Sequence, residues 1–136
     1  MSLLTARLSD YNRMSVLSAT PIQLLAMLYD RLLLDLSRAE RAQDDSNWQA
    51  ASAQLLHAQA ILSELQSTLN VDAWEGGPGL FALYTYIGES LVRSNINRDV
   101  FLTTECIALL EPLRAAWAEA SASTTSTVSE RGWAVA

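Results

Sequence analysis

The sequence predicts an all-α fold, an antiparallel up-down-up-down four-helix bundle, and three observations carry the prediction. Apolar residues recur at steps of three and four along four stretches, the spacing that gathers them on one face of a helix. Three of the stretches open on a residue that caps helices well, and the fourth on Gly-Pro. Five Gly and three Pro in 136 residues leave little turn chemistry for many short strands. Half of the residues are apolar, enough for one core, so a single domain is expected.

Residues 1–19 mix Leu, Ser and Arg without a sustained period and form a segment ahead of the bundle, which itself spans 20–120. Helix one starts at Thr20-Pro21-Ile22-Gln23. Thr20 is the N-cap, Pro21 occupies a position where no donor is lost, and Gln23 can close a capping box. Ile22, Leu25, Leu28, Tyr29, Leu32, Leu33, Leu36 and Ala39 then share a face to about Ala42. After a polar turn, Ser46-Asn47-Trp48-Gln49 repeats the capping pattern. Helix two follows with Trp48, Ala51, Leu55, Ala58, Leu62, Leu65 and Leu69 as an a/d seam.

Gly77-Pro78 opens helix three, whose inward face is Leu80, Leu83, Tyr84, Ile87 and Leu91. Asp99 caps helix four, with Val100, Thr103, Ile107, Leu110 and Trp117 inward. Pro112 lies inside that helix and deprives the Ala108 carbonyl of its donor, so a bend is expected there. The run from 121 to 136, rich in Ser, Thr and Ala, lacks a period and reads as a disordered tail.

Composition narrows the function classes. The net charge is -6 and all nine basic residues are Arg, so there is no basic patch to neutralise a phosphate backbone and nucleic acid is not an expected partner. Cys106, the single cysteine, suits a reducing compartment, and no apolar run approaches the roughly 20 residues that span a bilayer. A cytoplasmic protein without stable membrane insertion is expected. One histidine excludes a multi-histidine metal site, and no carboxylate pair points to acid-base work. Neither catalysis nor a cofactor is expected. An alternative is a histidine phosphotransfer bundle using His57, which lies off the helix-two seam; Ala60 and Ile61 stand where such domains carry a basic and a small residue.

The informative excess is apolar side chains that do not fit the core faces. Leu24, Met27 and Leu34 fall opposite Leu25 and Leu32 on helix one, Leu56 and Ile61 flank the seam of helix two, and Leu102, Leu109 and Leu113 form a second stripe on helix four. Phe81, Gly88 and Val92 align on helix three. Gly88 is either the floor of a groove or a site of close helix packing, and a helical Gly costs roughly 1 kcal/mol relative to Ala. Stripes on several outer faces imply self-association or the binding of apolar helices from a partner.

The chain also carries landmarks in fixed order: Thr20-Pro21 leading to Leu28-Tyr29-Asp30; Ala58-Gln59 with Ile61; Leu65 with Leu69-Asn70; Leu83-Tyr84 with Tyr86-Ile87; Asn95 to Asp99; and Leu113-Arg114 with Trp117. In this it resembles the flagellar secretion chaperone family, FliS. The resemblance implies an antiparallel bundle that binds the disordered C-terminal segment of flagellin, keeps it from polymerising, and hands it to the flagellar export gate. A disordered client suits a shallow, distributed apolar surface. The resemblance further implies that the segment before helix one, with Tyr11, Val16 and Leu17, caps part of that surface or docks at the gate.

Overall fold

A computed structural model describes residues 18–135, with side chains through Ser123. Four helices follow one another: α1 (Pro21–Asp44), α2 (Trp48–Thr68), α3 (Gly77–Asn97) and α4 (Val100–Val135). Each helix packs on its neighbours in chain order and α4 returns to α1, so α1 faces α3 and α2 faces α4 across the diagonals. The short connections make successive helices antiparallel.

Local chemistry sets the ends. The Thr20 hydroxyl accepts from the Gln23 N–H at 3.2 Å, and the Gln23 side chain accepts from the Thr20 N–H at 2.9 Å, which completes the capping box. Asn47 rather than Ser46 caps α2, its side chain accepting from the Ala50 N–H at 3.3 Å. At the α2–α3 connection a Cβ on Gly77 would stand 2.1 Å from the Val71 carbonyl oxygen, so only glycine lets the loop backbone pass so near the helix start. Arg98 turns the chain between α3 and α4 in the left-handed region, with φ 53°, and its N–H bonds the Ser94 carbonyl. The Asp99 carboxylate then accepts from the Phe101 N–H at 3.0 Å.

The seam read on α2 lies inside: Leu55, Ala58, Leu62 and Leu65 are buried in one core with Tyr29, Leu32, Leu36, Ile87, Leu91 and Leu110, and Ala51 is buried as well. At the end where α1 finishes, a buried polar hub ties three helices. Gln43 donates to the Ser94 hydroxyl at 2.9 Å and accepts from Thr103 at 2.8 Å, the two hydroxyls lie 2.7 Å apart, and Ser94 also reaches the Asp99 carbonyl at 2.7 Å. Such a hub fixes register because each buried polar atom left unpaired would cost about 1–3 kcal/mol.

Two features differ from the sequence expectation. Helical backbone continues to Val135, past the boundary at 120 drawn from composition. Ala, Ser and Thr each fit a helix within several tenths of a kcal/mol, and between Pro112 and Val135 only Gly132 is a stronger breaker. Asp35, a carboxylate of the kind that ordinarily stays at the surface, is fully buried. It accepts from Arg31 Nε at 3.0 Å and bonds His57 Nδ1 on α2. Among the described residues no helix is long and apolar enough to cross a membrane, and no cluster of acidic, His and Cys side chains could hold a metal ion.

Candidate functional site

The leftover apolar residues separate by groove. On the outer face of α1, Met27 and Leu34 are exposed. Between α2 and α3 two polar bonds mark the outer seam: Gln66 donates to the Thr85 hydroxyl at 2.7 Å and Asn95 to the Ser52 hydroxyl at 3.2 Å. On that side Leu56 is 57% exposed, and Phe81 and Val92 are also open to solvent. Gly88 is half-buried between them, and a Cβ on it would meet Leu62 Cδ2 at 3.4 Å, an ordinary contact. The glycine therefore lowers the groove without being forced by a clash.

On α4, Leu102, Leu109 and Leu113 are half-buried toward α3, where the Tyr86 hydroxyl donates to Glu105. Leu109 and Leu113 also pack against the core, so they offer edges rather than open faces. The Glu105 carboxylate raises the Tyr86 pKa, the neutral phenol being the form that donates to it. On the opposite side of α4, Arg114 pairs with Asp30 of α1 at 2.7 Å; both are exposed, and such a pair contributes little.

Ile61 corrects the sequence reading. Only 8% exposed, it belongs to the core and offers nothing to a partner. It lies on the α1 side of α2, the side on which His57 meets Asp35, and close packing of these helices buries a wider arc than an a/d seam. Tyr11, Val16 and Leu17 lie outside the described residues.

Leu24 is half-buried for a different reason: it lines a cleft of about 550 Å³ that opens at one end of the bundle. Leu24, Leu25 and Leu28 of α1, Leu65 of α2, Leu80 and Tyr84 of α3, and Trp117 of α4 form its walls. Glu64, Thr68 and Asn70 supply a polar edge, and Trp74 on the α2–α3 loop stands at the rim, half-exposed. The size falls within the range of ligand pockets. At the inner end, the Tyr84 hydroxyl meets that of Tyr29 at 2.6 Å across the diagonal, with Trp117 beside Tyr29 at 6.4 Å between ring centroids. Burial pushes both hydroxyls above the ordinary tyrosine range.

The sequence reading missed this cleft because its walls come from all four helices. A tryptophan in a Gly-rich loop was the available signal. It also passed over Ile96 at 74% exposure and Phe101 at 81%, the most exposed large apolar side chains among the described residues, which flank the α3–α4 turn. Cys106 is buried in the core and its thiol is pushed up to about 12, so it is an inert packing group.

Comparison with known proteins places the chain. Residues 4–124 match the family described as Flagellar protein FliS. The chain is 33% identical over 110 residues to the flagellar secretion chaperone FliS of Bacillus subtilis (strain 168), covering 81% of this chain and 82% of that one. It is 34% identical over 107 residues to the flagellar secretion chaperone FliS of Escherichia coli (strain K12), with 77% and 79% covered. A crystal structure of a bacterial flagellar chaperone shares the fold with a TM-score of 0.68 at 20% identity, over 84% of this chain and 96% of that one. These relatives lead to one assignment: the chain belongs to the FliS family of flagellar secretion chaperones, which is non-enzymatic.

Proposed function

We propose that this protein is a cytoplasmic export chaperone for flagellin, binding the disordered C-terminal segment of its client, preventing premature polymerisation and delivering it to the flagellar export gate. The observation that carries the reading is the set of exposed apolar side chains, Met27, Leu34, Leu56, Phe81 and Val92, standing on successive outer faces of one small bundle. A folded partner would need one flat patch; a chain that folds as it binds can lay short helices into separate grooves and cover them all.

The client path runs over Leu24, Met27 and Leu34, across the α2–α3 groove of Leu56, Phe81, Gly88 and Val92, and along the α3–α4 edge of Leu102, Leu109 and Leu113. Ile61 is excluded by its burial. Tyr11, Val16 and Leu17, in the segment preceding α1, cap part of this path before the client arrives or dock at the gate.

The test is calorimetric titration of the full chain with roughly the last 50 residues of the same organism's flagellin, a length in keeping with coupled folding. A one-to-one complex with a large negative heat-capacity change is expected. No binding, together with a stable dimer at micromolar concentration, would replace the reading with self-association through the same stripes.

A further inference from the structure

The inner end of the axial cleft carries more hydrogen-bond donors than acceptors. Tyr29 and Tyr84, 0% and 1% exposed, bond hydroxyl to hydroxyl at 2.6 Å. Two hydroxyls joined in this way hold two hydrogens and use one of them. Among the described residues neither makes another hydrogen bond that would take the second. Trp117 adds a third donor: its indole Nε1 is buried and reaches no partner in good geometry. The Trp117 N–H bears on the Tyr29 hydroxyl, where it offsets a little of the rise that burial causes.

Three donors thus share two oxygens. When the Tyr29 O–H donates to the Tyr84 oxygen, the Trp117 N–H stays without an acceptor. The hydroxyl hydrogen left over is then on Tyr84, which lines the cleft, whereas Tyr29 stands behind it. A buried donor without an acceptor costs about as much as a lost hydrogen bond, and the walls around it are Leu24, Leu25, Leu28, Leu65 and Leu80. Their side chains supply no acceptor.

We propose that the cleft is a recognition site for a peptide segment that fills it with apolar side chains and delivers one carbonyl oxygen to Tyr84. This deepens the chaperone reading and rests on it for the identity of the peptide. The surplus donor makes the site selective: a purely hydrocarbon occupant would leave the Tyr84 hydrogen unpaired, while a carbonyl-bearing one removes the penalty. The carbonyl comes either from the peptide backbone or from an Asn or Gln side chain, and both present the same acceptor.

The experiment compares the full chain with Tyr84→Phe and Tyr29→Phe, which disturb the same packed pair equally. In titrations with the flagellin C-terminal segment, Tyr84→Phe should weaken binding about tenfold and Tyr29→Phe less than threefold, because the latter leaves the Tyr84 O–H in place. In parallel, 4-methyl-2-pentanone, an apolar branch with one carbonyl, is added while the Trp117 indole N–H resonance is followed, assigned through Trp117→Phe. A saturable shift that Tyr84→Phe abolishes is expected. If flagellin binds the variants alike and the ketone moves nothing, the proposal is overturned and water serves the spare hydrogen. If flagellin does not bind but the ketone gives the Tyr84-dependent shift, the cleft chemistry stands and the flagellin reading falls. Replacing each Asn and Gln of the segment by Met distinguishes the sources: loss at one position assigns a side-chain amide, and uniform retention assigns the backbone.

Discussion

Asp35 on α1 and His57 on α2 are joined through a carboxylate that is wholly out of solvent, while the imidazole is half in it. The other carboxylate oxygen is held by Arg31, one turn back on α1. A buried acid survives only when its charge is met, so the lone histidine of the chain serves as a clasp between two helices. With Nδ1 occupied by Asp35, its place in the fold is accounted for without phosphotransfer.

His57→Ala should therefore destabilise the bundle by about 1–3 kcal/mol, the penalty for stranding one oxygen of a buried carboxylate. Urea unfolding followed by far-UV circular dichroism measures it. Flagellin affinity of the folded fraction should stay within twofold of the parent.

Alkaline pH should unfold the protein in a defined window. Tyr29 and Tyr84 have folded pKa values raised by burial above the ordinary 10.0. Their neutral forms are favoured in the native state, so the stability they contribute is complete below about pH 10 and is lost as pH rises through the folded values. Cys106, pushed up to about 12, adds to the same loss. The double variant Tyr29→Phe/Tyr84→Phe should show a shallower decline between pH 10 and 12 in thermal melts, with the Cys106 contribution remaining.

Ile61 and Leu56 lie five residues apart on one helix and should respond oppositely to a charge. Ile61→Glu places a carboxylate in the core and should cost more than about 3 kcal/mol, enough to lower the soluble yield. Leu56→Glu should change stability by less than about 0.5 kcal/mol while weakening flagellin binding roughly tenfold. Unfolding curves beside calorimetric titrations separate the two effects; equal behaviour would remove Leu56 from the binding surface.

Gly88→Ala tests whether the glycine serves the fold or the groove. The added Cβ makes only a 3.4 Å contact with Leu62, so helix propensity should raise stability by up to about 1 kcal/mol. If Gly88 is a groove floor, the same variant should bind flagellin several-fold more weakly. Higher stability with undiminished affinity would assign it to helix packing alone.

The parts of the fold visible in the sequence are those decided within one helix. The α2 seam, the Thr20–Gln23 capping box and the inward place of Tyr84 depend on spacing alone, and the structure carries all three. Met27, Leu34, Leu56, Phe81 and Val92 were legible for the same reason, since a side chain off the core stripe is exposed unless another helix covers it. Ile61 and Asp35 were not legible, because their burial depends on how closely α1 meets α2 and, for Asp35, on a histidine 22 residues away. The cleft needed the ends of all four helices at once, which no local pattern encodes.

The Gln43–Ser94–Thr103 hub and the cleft occupy opposite ends of the bundle, and the two ends are held by different forces. At the hub the bonds are directional and buried, so the helices there have one permitted alignment. At the cleft most contacts are non-directional ones between leucine and aromatic side chains, with the Tyr29–Tyr84 hydroxyl pair as a directional tie at its inner end. Stiffness is consequently graded along the axis, like a pair of tongs hinged at one tip. The far end is therefore expected to yield to small helix tilts more readily than the hub end, where register is fixed. A single chain can in this way grip occupants of unequal bulk without any change in its own topology.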